Sequence, residues 1–93
     1  MIYKVVYSRR FVKSLKRVRN APAFRAEKLT MAINLISTQS PMPEQFRDHA
    51  LTGNMSGYRE CHIASDILLV YELNDDILEL LLINIGSHSQ LFG

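Results

Sequence analysis

The segment Ile77 to Ile85 restricts the fold more than any other part of the chain, because it is apolar on both faces. Leu78, Leu80 and Leu82 alternate with Ile77, Leu81, Ile83 and Ile85, interrupted by Glu79 and Asn84. A strand of that kind belongs inside a sheet, with helices covering one side. It is also far shorter than the roughly 20 apolar residues of a membrane-spanning helix. Two further runs precede it, Tyr58–Ile63 and Ile67–Leu73, separated by the turn signals Ala64-Ser65-Asp66 and Asn74-Asp75-Asp76. Together they predict a three-stranded meander.

The N-terminal half reads differently. Ile2 to Tyr7 alternates as a strand, and Ser8 is placed to cap a helix running from about Arg9 to Arg19. Phe11, Leu15 and Val18 recur on its apolar side, while Arg9, Arg10, Lys13, Lys16 and Arg17 fill much of the rest. Asn20-Ala21-Pro22 interrupts that pattern, and a second helix is expected from Pro22 to about Thr38. Ala26, Leu29, Ile33 and Ile36 form its stripe, widened by Phe24, Met31 and Leu35. From Gln39 to Ser56 periodicity fails amid Pro and Gly, which predicts a long loop carrying Asp48 and His49. The expectation is an α+β fold of order β-α-α-β-β-β: one domain over residues 1–93, a largely antiparallel sheet against two N-terminal helices, and a tail from Gly86 to Gly93.

Charge separates along the chain. Nine of the eleven Lys and Arg residues and one of the nine acids lie in residues 1–30, a balance of +8 against −6 for the remainder. A basic end on a nearly neutral protein suits an anionic partner, and a solvated helix face is the plainer reading. The single Cys61 can form no internal disulfide, and the N-terminus lacks the apolar core of a signal peptide, so a cytosolic location is expected.

Three histidines lie far apart in sequence: His49 in the loop, His62 near a strand end and His88 in the tail. If folding brings them together, imidazoles could exchange protons with a phosphodiester. One would act as base on the 2′-hydroxyl and one as acid on the 5′-oxygen, with Arg59 steadying the phosphorane. Such a reaction leaves a 2′,3′-cyclic phosphate and a 5′-hydroxyl. Asp66 orients His62 if the intervening turn has three residues and faces away if it has two; otherwise it simply serves the turn. A zinc site from His49, His62, His88 and Asp66 has suitable ligand types but no closely spaced pair. Cys61 adjoins His62 but points to the opposite face of its strand, as a small buried hydrophobe would. Phe92 either anchors the tail or stacks on a base.

The segment DHALTGNMSGYRECHIASDILLVYEL, followed by IGSHSQLFG, resembles the YafQ-type toxins of the RelE superfamily. The likeness covers the whole chain, in the order of basic helices, D-H-x-L loop, G-Y-R-E-x-H strand, hairpin Asp and G-S-H-S-x-L-F ending. It implies a type II toxin that cuts messenger RNA in the ribosome, with no metal or other cofactor, restrained by a cognate antitoxin. By that analogy His49, His62, Asp66 and His88 handle protons and phosphate, and Phe92 positions the message. The basic residues of the first helix would grip ribosomal RNA. Relatives commonly carry Trp after the hairpin Asp and Arg before the G-x-H element, where this chain has Ile67 and Asn84. Two other readings keep the fold: a ParE-like gyrase inhibitor that only binds, and a catalytically silent module for RNA or antitoxin.

Overall fold

The computed structural model describes residues 2–93 and contains one five-stranded sheet of order β1-β5-β4-β3-β2. The strands are β1 (Lys4–Tyr7), β2 (His49–Ala50), β3 (Arg59–Ala64), β4 (Ile67–Asn74) and β5 (Glu79–Gly86). The helices are α1 (Arg9–Val18), α2 (Ala26–Ser37) and α3 (His88–Phe92). β1 runs parallel to β5 and every other pairing is antiparallel. The expected order therefore holds, with two additions: a short β2 inside the long loop, and a helix where a tail was expected.

The doubly apolar segment does lie inside the sheet, between β1 and β4. Leu80, Leu82 and Ile85 are wholly buried on the helix side, where they meet Phe11 and Val18 of α1, Leu29, Ala32 and Ile36 of α2, and Phe46. Its first two residues, Ile77 and Leu78, do not belong to the strand. Asn74 Oδ1 accepts hydrogen bonds from the backbone N–H groups of Asp76 and Ile77 at 3.0 and 3.3 Å, so an Asx turn holds Ile77 in the loop, 60% exposed.

Ser8 caps α1 as expected, accepting from the Phe11 N–H at 3.0 Å, and its hydroxyl also donates to the Ile83 carbonyl at 2.8 Å. The cap thus docks the helix on β5. Ser14 joins Phe11 and Val18 on the buried side, and Leu15 is only half-buried at the border of the stripe. α2 begins at Ala26 and not at Pro22. Arg25 donates to the carbonyls of Pro22 and Phe24, holding that stretch in turns. Met31 faces solvent, because Leu29, Ala32 and Ile36 already fill the contact with the sheet.

The other face of the sheet carries no helix layer. Directly opposed residues share a face, and the pairings His49↔Glu60, Glu60↔Val70 and Val70↔Asn84 form one row across four strands. The next row joins His62, Leu68 and Gly86. Leu68 and Val70 are buried under these rows, outside the helix-side core cluster. They form an apolar floor for whatever chemistry the rows carry.

Candidate active site

The two rows bring two histidines to one buried carboxylate. Glu60 is two residues before His62 on β3, so strand alternation puts both on the open face, and β2 delivers His49 opposite Glu60. His49 Nε2 lies 3.5 Å and His62 Nε2 3.8 Å from the same Glu60 Oε1. Sequence reasoning overlooked Glu60, although its spacing from His62 was a usable signal. His49 Nδ1 donates to the Arg47 carbonyl at 2.6 Å, which leaves Nε2 as the reactive nitrogen.

His49 needs β2, and β2 needs an anchor. Asp48 accepts from Arg59 Nη2 at 2.7 Å and from the Tyr71 hydroxyl, while Arg59 Nε also donates to that hydroxyl at 3.3 Å. Arg59 points to the helix side of the sheet, its guanidinium charge held by Asp48. Arg59, expected to steady phosphate, here fastens the loop that presents His49.

His62 continues the site towards α3. Its ring centroid is 6.3 Å from that of His88, which is 6.0 Å from Phe92. Ser87 and Gln90 close a capping box at the start of α3, and a Cβ at Gly86 would come within 2.7 Å of Gln90 Oε1 and push that capping side chain aside. The three histidines that the sequence scattered thus form one line along the open face, with Phe92 at its end and 43% exposed.

Asp66 does not serve His62. β3 bulges between His62 and Ala64, so Ala64 pairs with Ile67 and Ser65-Asp66 makes the turn; the turn has two residues, but the bulge shifts it so that neither pairing considered from the sequence applies. Asp66 Oδ1 instead accepts from the His88 backbone N–H at 3.3 Å and lies 3.6 Å from His88 Nδ1. The first-helix cations Arg9, Arg10, Lys13, Lys16 and Arg17 are exposed on the helix layer, away from the histidine rows. Arg17 lines, with Asp66, Ser87 and Gln90, a separate cavity of about 570 Å³ at the Asp66 end of the sheet.

Burial is the main force pushing the His62 imidazole below its ordinary range, with Arg47, His88 and His49 adding to it and Glu60 opposing. His62 is thus neutral at neutral pH and able to accept a proton. Burial pushes the Cys61 thiol far up, and the residue packs as a small core side chain. Ile67 is buried in the core, and Asn84 binds the N–H of Ile85 at 2.9 Å, so neither supplies charge to the cleft. Among the described residues no three His, Cys, Asp or Glu side chains converge to hold a metal ion.

An imidazole cluster on the open face of this sheet, backed by a basic helix, places the chain among the toxins of type II toxin–antitoxin systems. The family described as "Bacterial toxin of type II toxin-antitoxin system, YafQ" matches residues 3–93, and the chain belongs to it. The mRNA interferase toxin YafQ of Escherichia coli (strain B / BL21-DE3) is 30% identical over 89 residues, covering 96% of this chain and 95% of that protein. The crystal structure of the E. coli DinJ-YafQ toxin-antitoxin complex superposes with a TM-score of 0.84 at 30% identity, covering 100% of each chain. That of a metal-bound toxin from Helicobacter pylori gives a TM-score of 0.87 at 35% identity, covering 99% of this chain and 100% of the other.

Proposed function

We propose that this toxin is an endoribonuclease that cuts messenger RNA during translation, by acid–base attack of the 2′-hydroxyl on the adjacent phosphodiester. The observation that carries this reading is the line of three imidazoles on one face, two of them sharing Glu60. The E. coli relatives that are named mRNA interferases support the substrate class.

Each group has a role its surroundings suit. His62, neutral at working pH, is the base for the 2′-hydroxyl, with His49 and Glu60 beside it to take up the proton. His88 stands across the cleft at the distance of a small group, and the Asp66 carboxylate beside it can balance a proton destined for the 5′-oxygen. Phe92 extends the line as a platform for the unpaired base. The cations of α1 hold ribosomal RNA without reading sequence, and a cognate antitoxin restrains the protein, as DinJ pairs with YafQ in the relative. A substrate engaged in translation puts the site of action in the cytosol. Among the described residues no helix is long and apolar enough to cross a membrane.

The test is a cell-free translation reaction supplied with the purified protein, in which new messenger 5′ ends are mapped with and without ribosomes. Wild-type protein should cut only translated message, and His62→Ala and His88→Ala should abolish the cuts. Intact message in the presence of folded wild-type protein would sink the nuclease reading.

A further inference from the structure

Positive charge for the phosphate is missing from the rows described above, since Arg59 is held by Asp48 and position 84 is a neutral Asn. It is present next door. β2 begins at His49, opposite Glu60, so the β3 edge from His62 onward has no strand beside it. Two further residues of that antiparallel register would bring residue 47 opposite His62. There the backbone turns away, with Arg47 in the left-handed region at φ 48°.

The space this leaves is a cleft of about 510 Å³, lined by Lys28, Gln45, Phe46, Arg47, His62 and the end of β3 with Ser65 of the turn. It has the size of an ordinary ligand pocket. Its titratable side chains are Lys28, Arg47 and His62, with no carboxylate among them. Neither Lys28 nor Arg47 has an ion-pair partner among the described residues. Lys28 is half-buried at the wall of this cleft, where a long stem can lie on apolar surface and leave its ammonium facing the space. Strained non-glycine backbone concentrates at functional sites, and here the strained residue faces His62 while its carbonyl fixes His49.

We propose that this cleft is a second phosphate subsite: Arg47 and Lys28 grip the RNA backbone on the His62 side of the scissile bond, and Arg47 supplies the cation beside the base. The assignment rests on the nuclease reading of the same site. Arg47 is then a substrate-binding residue, and its backbone turn exists to present the guanidinium and the carbonyl in different directions. Lys28 extends the grip to α2, which otherwise only packs on the sheet. Phosphate fits better than a carboxylate because the cleft opens beside His62, where a phosphodiester held for cleavage continues into the next nucleotide.

A 2′-O-methyl RNA oligonucleotide, which cannot be cut by its own 2′-oxygen, serves as the probe for the intact protein. Its binding should shift the amide signals of residues 45–47 and 62–65. Arg47→Gly and Lys28→Ala should each weaken it about tenfold, the usual effect of losing one charge-assisted hydrogen bond, and lower the salt slope by roughly 0.7. Arg47→Gly retains the carbonyl that holds His49 and relieves the left-handed backbone. Its melting temperature should therefore hold or rise while translated-message cleavage falls at least tenfold, with Arg47→Lys recovering much of the rate. Wild-type binding and cleavage in both variants would overturn the subsite, as would an oligo-glutamate peptide shifting the same amides with equal affinity. Should the wild-type protein cut no message, the nuclease reading fails on its own, and the oligonucleotide arm still decides whether the cleft takes RNA phosphate.

Discussion

Glu60 is the residue on which two imidazoles converge, and its removal separates charge from shape. Replacing it by Gln keeps volume and hydrogen bonding but deletes the one charge that raises the His62 pKa against burial. The His62 titration, followed by its ring proton signals, should therefore move further down in Glu60→Gln, carrying the acid limb of the pH–rate profile to lower pH. An unmoved titration would mean that Glu60 acts on His49 alone. His62 also makes stability depend on pH, with a sign that follows from the direction of its shift. Its folded-state pKa lies below the unfolded value near 6.5, so around and below that pH the unfolded chain binds the proton more readily. Stability contributed by His62 is full above pH 6.5 and is lost as pH falls below it. Urea titrations between pH 5 and 7.5 should show this slope in the wild type and a flatter one in His62→Gln.

At the scale of elements, two short pieces present the histidines, and neither announces itself in the sequence. β2 has two residues, too few for any periodicity to register, and it exists because Asp48 is tied to Arg59 and Tyr71. Tyr71→Phe should cost about 1 kcal/mol, the loss of one hydrogen bond to a carboxylate that keeps its Arg59 partner. It should lower the cleavage rate by loosening His49 while leaving the His62 titration in place. α3 is five residues long and buries none of them, so its cap and not its packing holds it. Ser87→Ala should unwind it at a local cost of about 1 kcal/mol. The melting temperature should barely move while cleavage falls as His88 and Phe92 lose their places; amide exchange of residues 88–92 would report the unwinding. A matching fall in global stability would mean that α3 is part of the core after all.

The same contrast explains what was legible in advance. The long strands, α1 with its Ser8 cap and the interior position of β5 follow from patterns of six residues or more, where hydrophobic burial dominates. The meeting of His49, His62 and His88 was conceivable from chemistry alone. The partners they would find there were not, because those depend on single-residue events. The bulge at Ile63 moved Asp66 from His62 to His88, the left-handed Arg47 set the direction of β2, and a local ion pair took Arg59 out of the cleft. Glu60 alone was within reach, through period-two alternation with His62.

For the whole molecule, the segregation of charge is visible as a division of labour between the two faces of the sheet. The open face carries the histidine rows, and the helix layer carries an α1 whose exposed residues are nearly all cationic. That composition does not serve the helix. Arg9 and Arg10 sit in its first turn, which contains no acid, where the positive end of the macrodipole opposes them. Lys16 and Arg17 in the last turn are favourably placed, so the N-terminal pair gives the cleaner experiment. Arg9→Gln/Arg10→Gln should stabilise the protein by about 0.3–1 kcal/mol through relief of that repulsion. The same variant should bind ribosomes more weakly, with a shallower dependence on salt, because two phosphate contacts have been removed. Sedimentation with ribosomes at several ionic strengths, set beside urea denaturation, measures both quantities. A chain made more stable and less able to hold the ribosome would mean that these arginines are kept for their partner against the interest of the fold. Unchanged ribosome binding would leave them as a solvated face and move the docking surface to the Arg17 end of the helix.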